Sequence, residues 1–304
     1  MDTYTAGPLL ELNKAVPSFE ESGLPPRPMS LRLMAGDCCV VEERDPQRAT
    51  MFADLCSGLV PLDAGQVSFM GLDWTEMKDR QLNALRGRIG RMSRRPSWPG
   101  FVPMHLAIML QQLHHTSCTQ DDLLAEAARL AASFGLPGLP TQAPDRMSDA
   151  DLCRAGCVRA FLGRPHLLLL EDPLEGGPQE LANPFLEALT EARDRGAGII
   201  WLVRHAAAWQ RYRSGVSATA RLAADGLAAA VQRVADAELR ARRHRAPRRP
   251  HAPPHHGPTP PPPAGRLPPR DPPLRPAPPA QPPRAAHRRA PPPAALPGRA
   301  RLAA

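Results

Sequence analysis

The chain is almost without lysine. Of its 38 basic residues only Lys14 and Lys78 are lysines, and neither sits in a glycine-rich turn between a strand and a helix. A phosphate-gripping loop that needs a lysine in such a turn is therefore excluded. Long apolar runs are also missing. None approaches the ~18 residues that a spanning helix requires, and no charged segment followed by an apolar one opens the chain. The expectation is a soluble, cytoplasmic protein. Paired Cys/His spacings are absent too. Cys38 and Cys39 lie in an apolar strand-like run, while Cys56, Cys153 and Cys157 lie in helical patterns. They read as small core residues of a reducing compartment, without a disulfide framework or a zinc site.

Acid is scarce in one place only. From Ala241 to Ala304 there is a single acid, Asp271, against 13 arginines, with no lysine and no aromatic residue. The same stretch holds 22 of the 39 prolines. Such a composition cannot build a hydrophobic core, so residues 236–304 are expected to form a disordered Pro/Arg-rich tail. That stretch contributes +12 to a net charge of +8, which leaves residues 1–240 at −4. The high pI describes the tail, and no nucleic acid is expected as a partner of the folded part.

What remains reads as alternating strands and helices. Leu9–Val16 and Met29–Met34 are strand-like, Asp37–Val41 is a short buried strand, and Thr50–Leu59 is a helix with Gly58 near its end. Leu62–Gly65 reads as a turn and Gln66–Met70 as a strand. His105–His114, Asp121–Phe134 and Leu152–Leu162 are amphipathic helices, with Gly135 a cap for the second. His166–Leu170 and Gly198–Val203 are continuous apolar runs, the signature of strands buried on both faces, and Glu187–Arg195 is the helix between them. Helices alternating with such strands predict a parallel sheet covered on both sides.

Three segments in order carry a resemblance. SLRLMAGDCCVV with TMFADLCSGLVPLDAGQVSFMG, then MSDADLCRAGCVRAFLGRPHLLLLEDP, then WLVRH resemble the strand, P-loop and first helix, the signature and Walker B, and the switch histidine of ABC transporter ATP-binding subunits. The match runs from about Leu9 to Ala230. It implies an α/β, P-loop NTPase-like fold over residues 1–235, with a parallel core sheet, an antiparallel N-terminal sheet and a helical subdomain at about 96–161. It implies ATP and Mg²⁺ as cofactors. It also implies a transmembrane permease subunit and a second ABC-type subunit, in a homo- or heterodimer, as partners, and a place on the inner face of the cell membrane.

The motifs themselves are degenerate. In the family a P-loop turns successive backbone N–H groups around the phosphates, a lysine reaches their oxygens and a hydroxyl holds Mg²⁺. Here Glu43, Pro46 and Arg48 take the glycine positions, Ala49 the lysine position and Thr50 the hydroxyl position. Glu42, Glu43 and Asp45 put carboxylates where phosphates go. Arg44 and Arg48 offset that repulsion if they face the phosphates; as ordinary loop arginines they do not. In Walker B, Glu171 takes the Mg²⁺-associated place and Asp172 that of the water-activating carboxylate, with their lengths exchanged. Ser148 of the signature is kept, but Asp149 and Asp151 replace the glycine and glutamine; as a plain helix cap the segment is ordinary. Arg94 takes the place of the Q-loop glutamine. His205 stands at the switch position, and Phe19 is a candidate for stacking on adenine.

Three readings follow. The chain is an ATP-binding-cassette subunit of a membrane transport complex with impaired ATP binding and hydrolysis. Alternatively it is a non-transport interaction module on an ABC-like fold, with the basic tail as a binding arm. In the third reading the gene is decaying and the tail is an out-of-frame product.

Overall fold

A computed structural model describes residues 7–94 and 96–230. The expected tail at 236–304 lies outside these described residues. Strand β1 (Leu10–Pro17), the one-turn helix α1 (Phe19–Ser22) and β2 (Met29–Leu33) lead into β3 (Cys38–Glu42) and helix α2 (Pro46–Cys56). After β4 (Leu62–Phe69), β5 (Leu72–Asp73), α3 (Asp79–Arg86) and β6 (Ile89–Met92) come three helices: α4 (Met104–His115), α5 (Gln120–Ser133) and α6 (Asp149–Phe161). The chain then runs through β7 (Leu167–Glu171), α7 (Ala182–Asp194), β8 (Gly198–Val203), β9 (Ala218–Ala223) and β10 (Gly226–Ala230).

Two sheets result. The antiparallel one has the order β2-β1-β4-β5; the other is six-stranded, β10-β9-β3-β8-β7-β6, and parallel except for its last hairpin β9–β10. The period-two rule for strands divides the second sheet between two cores. Cys39, Val41, Leu167, Leu169, Ile200 and Leu202 face the antiparallel sheet and α2. Cys38, Val40, Leu168, Leu170, Ile199 and Trp201 face the helical layer. Every residue of β7 and β8 is buried, which is why their sequences are unbroken apolar runs rather than alternating ones.

Helix α7 starts at Ala182, not at the expected Glu187, and two further elements differ from the sequence reading for local reasons. Leu62–Gly65 is strand, not turn, and pairs with β1 through an irregular register between Asn13 and Val16. Gly65 makes this possible: it has φ +77°, and a Cβ there would lie 2.0 Å from the Lys14 carbonyl oxygen. Helix α2 begins at Pro46, not Thr50. Asp45 is its N-cap, accepting from the Gln47 N–H at 2.9 Å, and Pro46 supplies a first-turn residue with no N–H to satisfy.

All the cysteines except exposed Cys118 are packing residues. Burial pushes the Cys38 and Cys39 thiols up to about 12 and raises those of Cys56, Cys153 and Cys157 as well. Because the thiolate is the nucleophile, iodoacetamide at pH 8 should modify exposed Cys118 well before the others, which should react only on unfolding. Peptide mass spectrometry showing Cys38 or Cys56 labelled as fast as Cys118 would contradict this core.

Candidate functional site

In a parallel sheet the loops after the strand ends share one edge, and ligands bind there. Here β3, β6, β7 and β8 run parallel, with Glu42 opposite Val203, Glu171 opposite Leu202 and Met92 opposite Leu170. This register gathers most of the candidate residues at one edge.

The loop from β3 to α2 is short, because the helix starts at Pro46. Only Glu43, Arg44 and Asp45 connect the two elements. Glu43 is 2% exposed. Its N–H donates to the Val203 carbonyl at 2.9 Å, and its Oε1 accepts from the Asp45 N–H at 2.8 Å. Arg48 pairs with Glu43 at 3.1 Å and with Asp45 at 3.4 Å. Ala49 is buried in the helix, its N–H bonded to the Asp45 carbonyl at 3.0 Å. Three amides of this segment, those of Asp45, Gln47 and Ala49, are thus taken by a buried glutamate, a capping carboxylate and a helix turn.

Beside this loop lies a second cluster. The Thr50 hydroxyl donates to Glu171 Oε2 at 2.6 Å. The Arg91 guanidinium, projecting from β6, donates to Glu171 Oε1 at 3.1 Å and to the Thr50 carbonyl at 3.2 Å, and pairs with Asp54. Burial by itself lowers the Arg91 pKa, but Glu171 and Asp54 outweigh it and leave it raised. A fixed positive charge therefore sits against Glu171 Oε1 and the Thr50 carbonyl oxygen, while the Thr50 hydroxyl is spent on Glu171 Oε2. A metal ion bound to the Thr50 hydroxyl and the Glu171 carboxylate would face that charge at close range, so the residues present do not fit one. No group of three or more His, Cys, Asp or Glu side chains is arranged for a metal among the described residues.

A third cluster follows β7. Asp172 has φ 41°, a left-handed conformation that aspartate tolerates better than most residues. Its N–H donates to the Leu202 carbonyl at 2.9 Å. Its carboxylate accepts from the Arg204 N–H at 3.1 Å and pairs with the Arg204 guanidinium at 3.4 Å. Arg204 also pairs with Glu175, which holds Arg94 at 3.0 Å.

The remaining candidates join none of these clusters through a direct bond. Ser148 caps α6, accepting from the Asp151 N–H at 3.1 Å. His205 is exposed just beyond β8, and Phe19, 56% exposed, stands on α1.

No protein-family model matches the chain. A phosphonates import ATP-binding protein of a Synechococcus strain is 25% identical over 150 residues, 47% of this chain and 56% of that relative. A zinc import ATP-binding protein of Ruegeria pomeroyi is 32% identical over 133 residues, 41% of this chain and 50% of the relative. The matched stretch thus spans about half the length of each. Among solved structures, an ATP-binding subunit of an ABC transporter superposes with a TM-score of 0.61 at 16% identity, over 73% of this chain and 90% of that one. The dimeric structure of a bacterial ABC transporter cassette superposes at 0.62 and 12% identity, over 71% and 95%. The fold is that of an ABC ATPase cassette.

Within this cassette the sequence reading missed Arg91, Asp54 and Arg204. Arg91 left one signal: it is a charged residue inside the short apolar segment Ile89-Gly90-Arg91-Met92, whose burial demands a partner. Of the carboxylates that the resemblance places at the phosphates, the metal or the attacking water, Glu43, Asp45, Glu171 and Asp172 each have an arginine of the same chain beside them.

Proposed function

We propose that this chain is the cassette subunit of a membrane transport complex that fills the place of an ATP-binding subunit without binding MgATP productively or hydrolysing it. The observation that carries this reading is the Thr50–Glu171–Arg91–Asp54 cluster, in which a guanidinium already holds the carboxylate that a metal would need. The β3–α2 loop supports it independently. A unit of negative charge ~4 Å from buried Glu43 is repelled by roughly 4 kcal/mol at an effective dielectric of ~20, and Arg48 is already engaged by Glu43 and Asp45. The curated relatives are ATP-binding subunits of import systems, which supports a transmembrane permease as partner and a second cassette across the interface. Its place is then cytoplasmic, on the inner face of the membrane. Among the described residues no helix is long and apolar enough to cross a membrane.

Hydrolysis by this subunit would need Asp172 to hold a water, yet its carboxylate is held by Arg204 through both the backbone N–H and the guanidinium. The role that fits is structural or regulatory, a cassette that completes a dimer and a permease contact. Calorimetry of the full chain with MgATP at physiological salt should give no saturable binding tighter than about 1 mM, the weak end of specific recognition. Micromolar affinity, or phosphate release above background, would sink the reading.

A further inference from the structure

A cavity of about 610 Å³ opens between α4 and the segment after β6, apart from the loop between β3 and α2. Its size suits a small organic ligand. Arg159, His114 and His115 line it, Ser93 and Ser97 add hydroxyls, and Arg91 forms part of its wall. No carboxylate is among its described lining residues. Pro99, Ala107 and Leu110 give it an apolar side, with Leu110 54% exposed at the opening.

Arg91 is already neutralised by Glu171 and Asp54. Arg159 is not: no carboxylate pairs with it among the described residues. Its contacts are a single donated bond to the Ser97 carbonyl at 3.3 Å and a stack on Trp98 at 4.1 Å. A guanidinium has five N–H donors, so most of its fork is unspent. Burial, and then Arg91, lower its pKa to about 10, the mark of a cation short of a counter-charge. His115 reports the same deficit: its Nδ1 is buried without a hydrogen-bond partner, and burial, His114 and Arg86 lower its pKa.

We propose that this cavity binds an organic anion, its phosphate or carboxylate head on the Arg159 fork and its apolar body against Leu110, Ala107 and Pro99. Arginine pairs with either head through parallel N–H bonds. The site does not depend on the nucleotide loop, so it stands or falls apart from the function proposed above.

At the millimolar concentrations needed here, weak anion binding by the arginine-rich C-terminal stretch would add its own heat to a calorimetric signal, so the readout has to be local. Trp98, stacked on Arg159, provides one. In the full chain, phenyl phosphate or benzoate should change tryptophan fluorescence saturably, and inorganic phosphate should bind about tenfold more weakly for want of an apolar body. The signal should vanish in Trp98→Phe. Arg159→Met should weaken binding about tenfold or more. Since that variant removes a partly buried group, His114→Asp, at an exposed position, is the second test; a carboxylate there should weaken binding roughly threefold. The proposal is overturned if neither probe saturates by about 10 mM, well beyond specific binding. It is equally overturned if the signal survives in Trp98→Phe, or if both Arg159→Met and His114→Asp bind as the wild type does.

Discussion

Arg91→Met should lower the stability of the chain by about 3 kcal/mol, because it leaves a buried carboxylate without its counter-ion. Glu171 is 4% exposed on its side chain, and Arg91 itself only 24%. With the guanidinium gone, Glu171 keeps the Thr50 hydroxyl as partner, and Asp54 loses its ion pair. Methionine fills much of the same volume, so the loss reads the charge rather than a cavity. The double variant Arg91→Met/Glu171→Leu should recover most of the deficit, as apolar replacement of a whole buried pair is often neutral. Urea unfolding followed by circular dichroism measures both. A midpoint for Arg91→Met indistinguishable from wild type would mean that water, not Arg91, satisfies Glu171.

A restored phosphate loop should bind ATP, and should do so without regard to Mg²⁺. The variant Glu43→Gly/Pro46→Gly/Arg48→Gly/Ala49→Lys removes the buried acid, unlocks the early helix start and supplies the missing lysine. Glycine frees the amides to turn inward, so affinity should move from undetectable into the micromolar range, at least about a hundredfold or roughly 3 kcal/mol. Arg91 would still hold Glu171 and Thr50, so adding Mg²⁺ should change little. Adding Arg91→Ser should then make binding Mg²⁺-dependent, since the Glu171 carboxylate loses its fixed cation. Competition with a fluorescent ATP analogue, with and without chelator, separates these outcomes. Mg²⁺ dependence in the four-residue variant alone would show that Arg91 does not exclude the ion.

The parts of this fold that were legible before the structure are those that announce themselves locally. β3, β7 and β8 are apolar runs between turn signals, and α5 carries its own cap, with Thr119 accepting from the Asp122 N–H at 3.2 Å. β6 was not legible. It is four residues long and broken by Gly90, a glycine required because the Ala160 carbonyl would lie 1.9 Å from a Cβ there. That contact belongs to α6, seventy positions away, and no window along β6 reveals it. The site divides in the same way. The order of its motifs could be read directly, so Thr50 and Glu171 were expected near each other. Their arginine could not, because Arg91 meets Asp54 and Glu171 only once the strand order places β6 beside β7. The start of α2 differs for another reason: apolar spacing from Met51 onward marks the helix only from Thr50, whereas Asp45-Pro46, an N-cap followed by a first-turn proline, starts it four residues earlier.

The strand order has a consequence for how the chain is made. Both sheet neighbours of β3 come from far downstream: Cys38 pairs with Ile199 of β8 and Cys39 with Ala218 of β9. During synthesis, Cys38–Glu42 emerges early and waits for nearly the whole domain before either edge can be covered. Contacts so distant in sequence slow folding, and an unpaired apolar strand is a template for aggregation meanwhile. Ribosome-bound chains that stop short of Ser217 carry that strand with at least one edge bare, and they are the species a chaperone would meet.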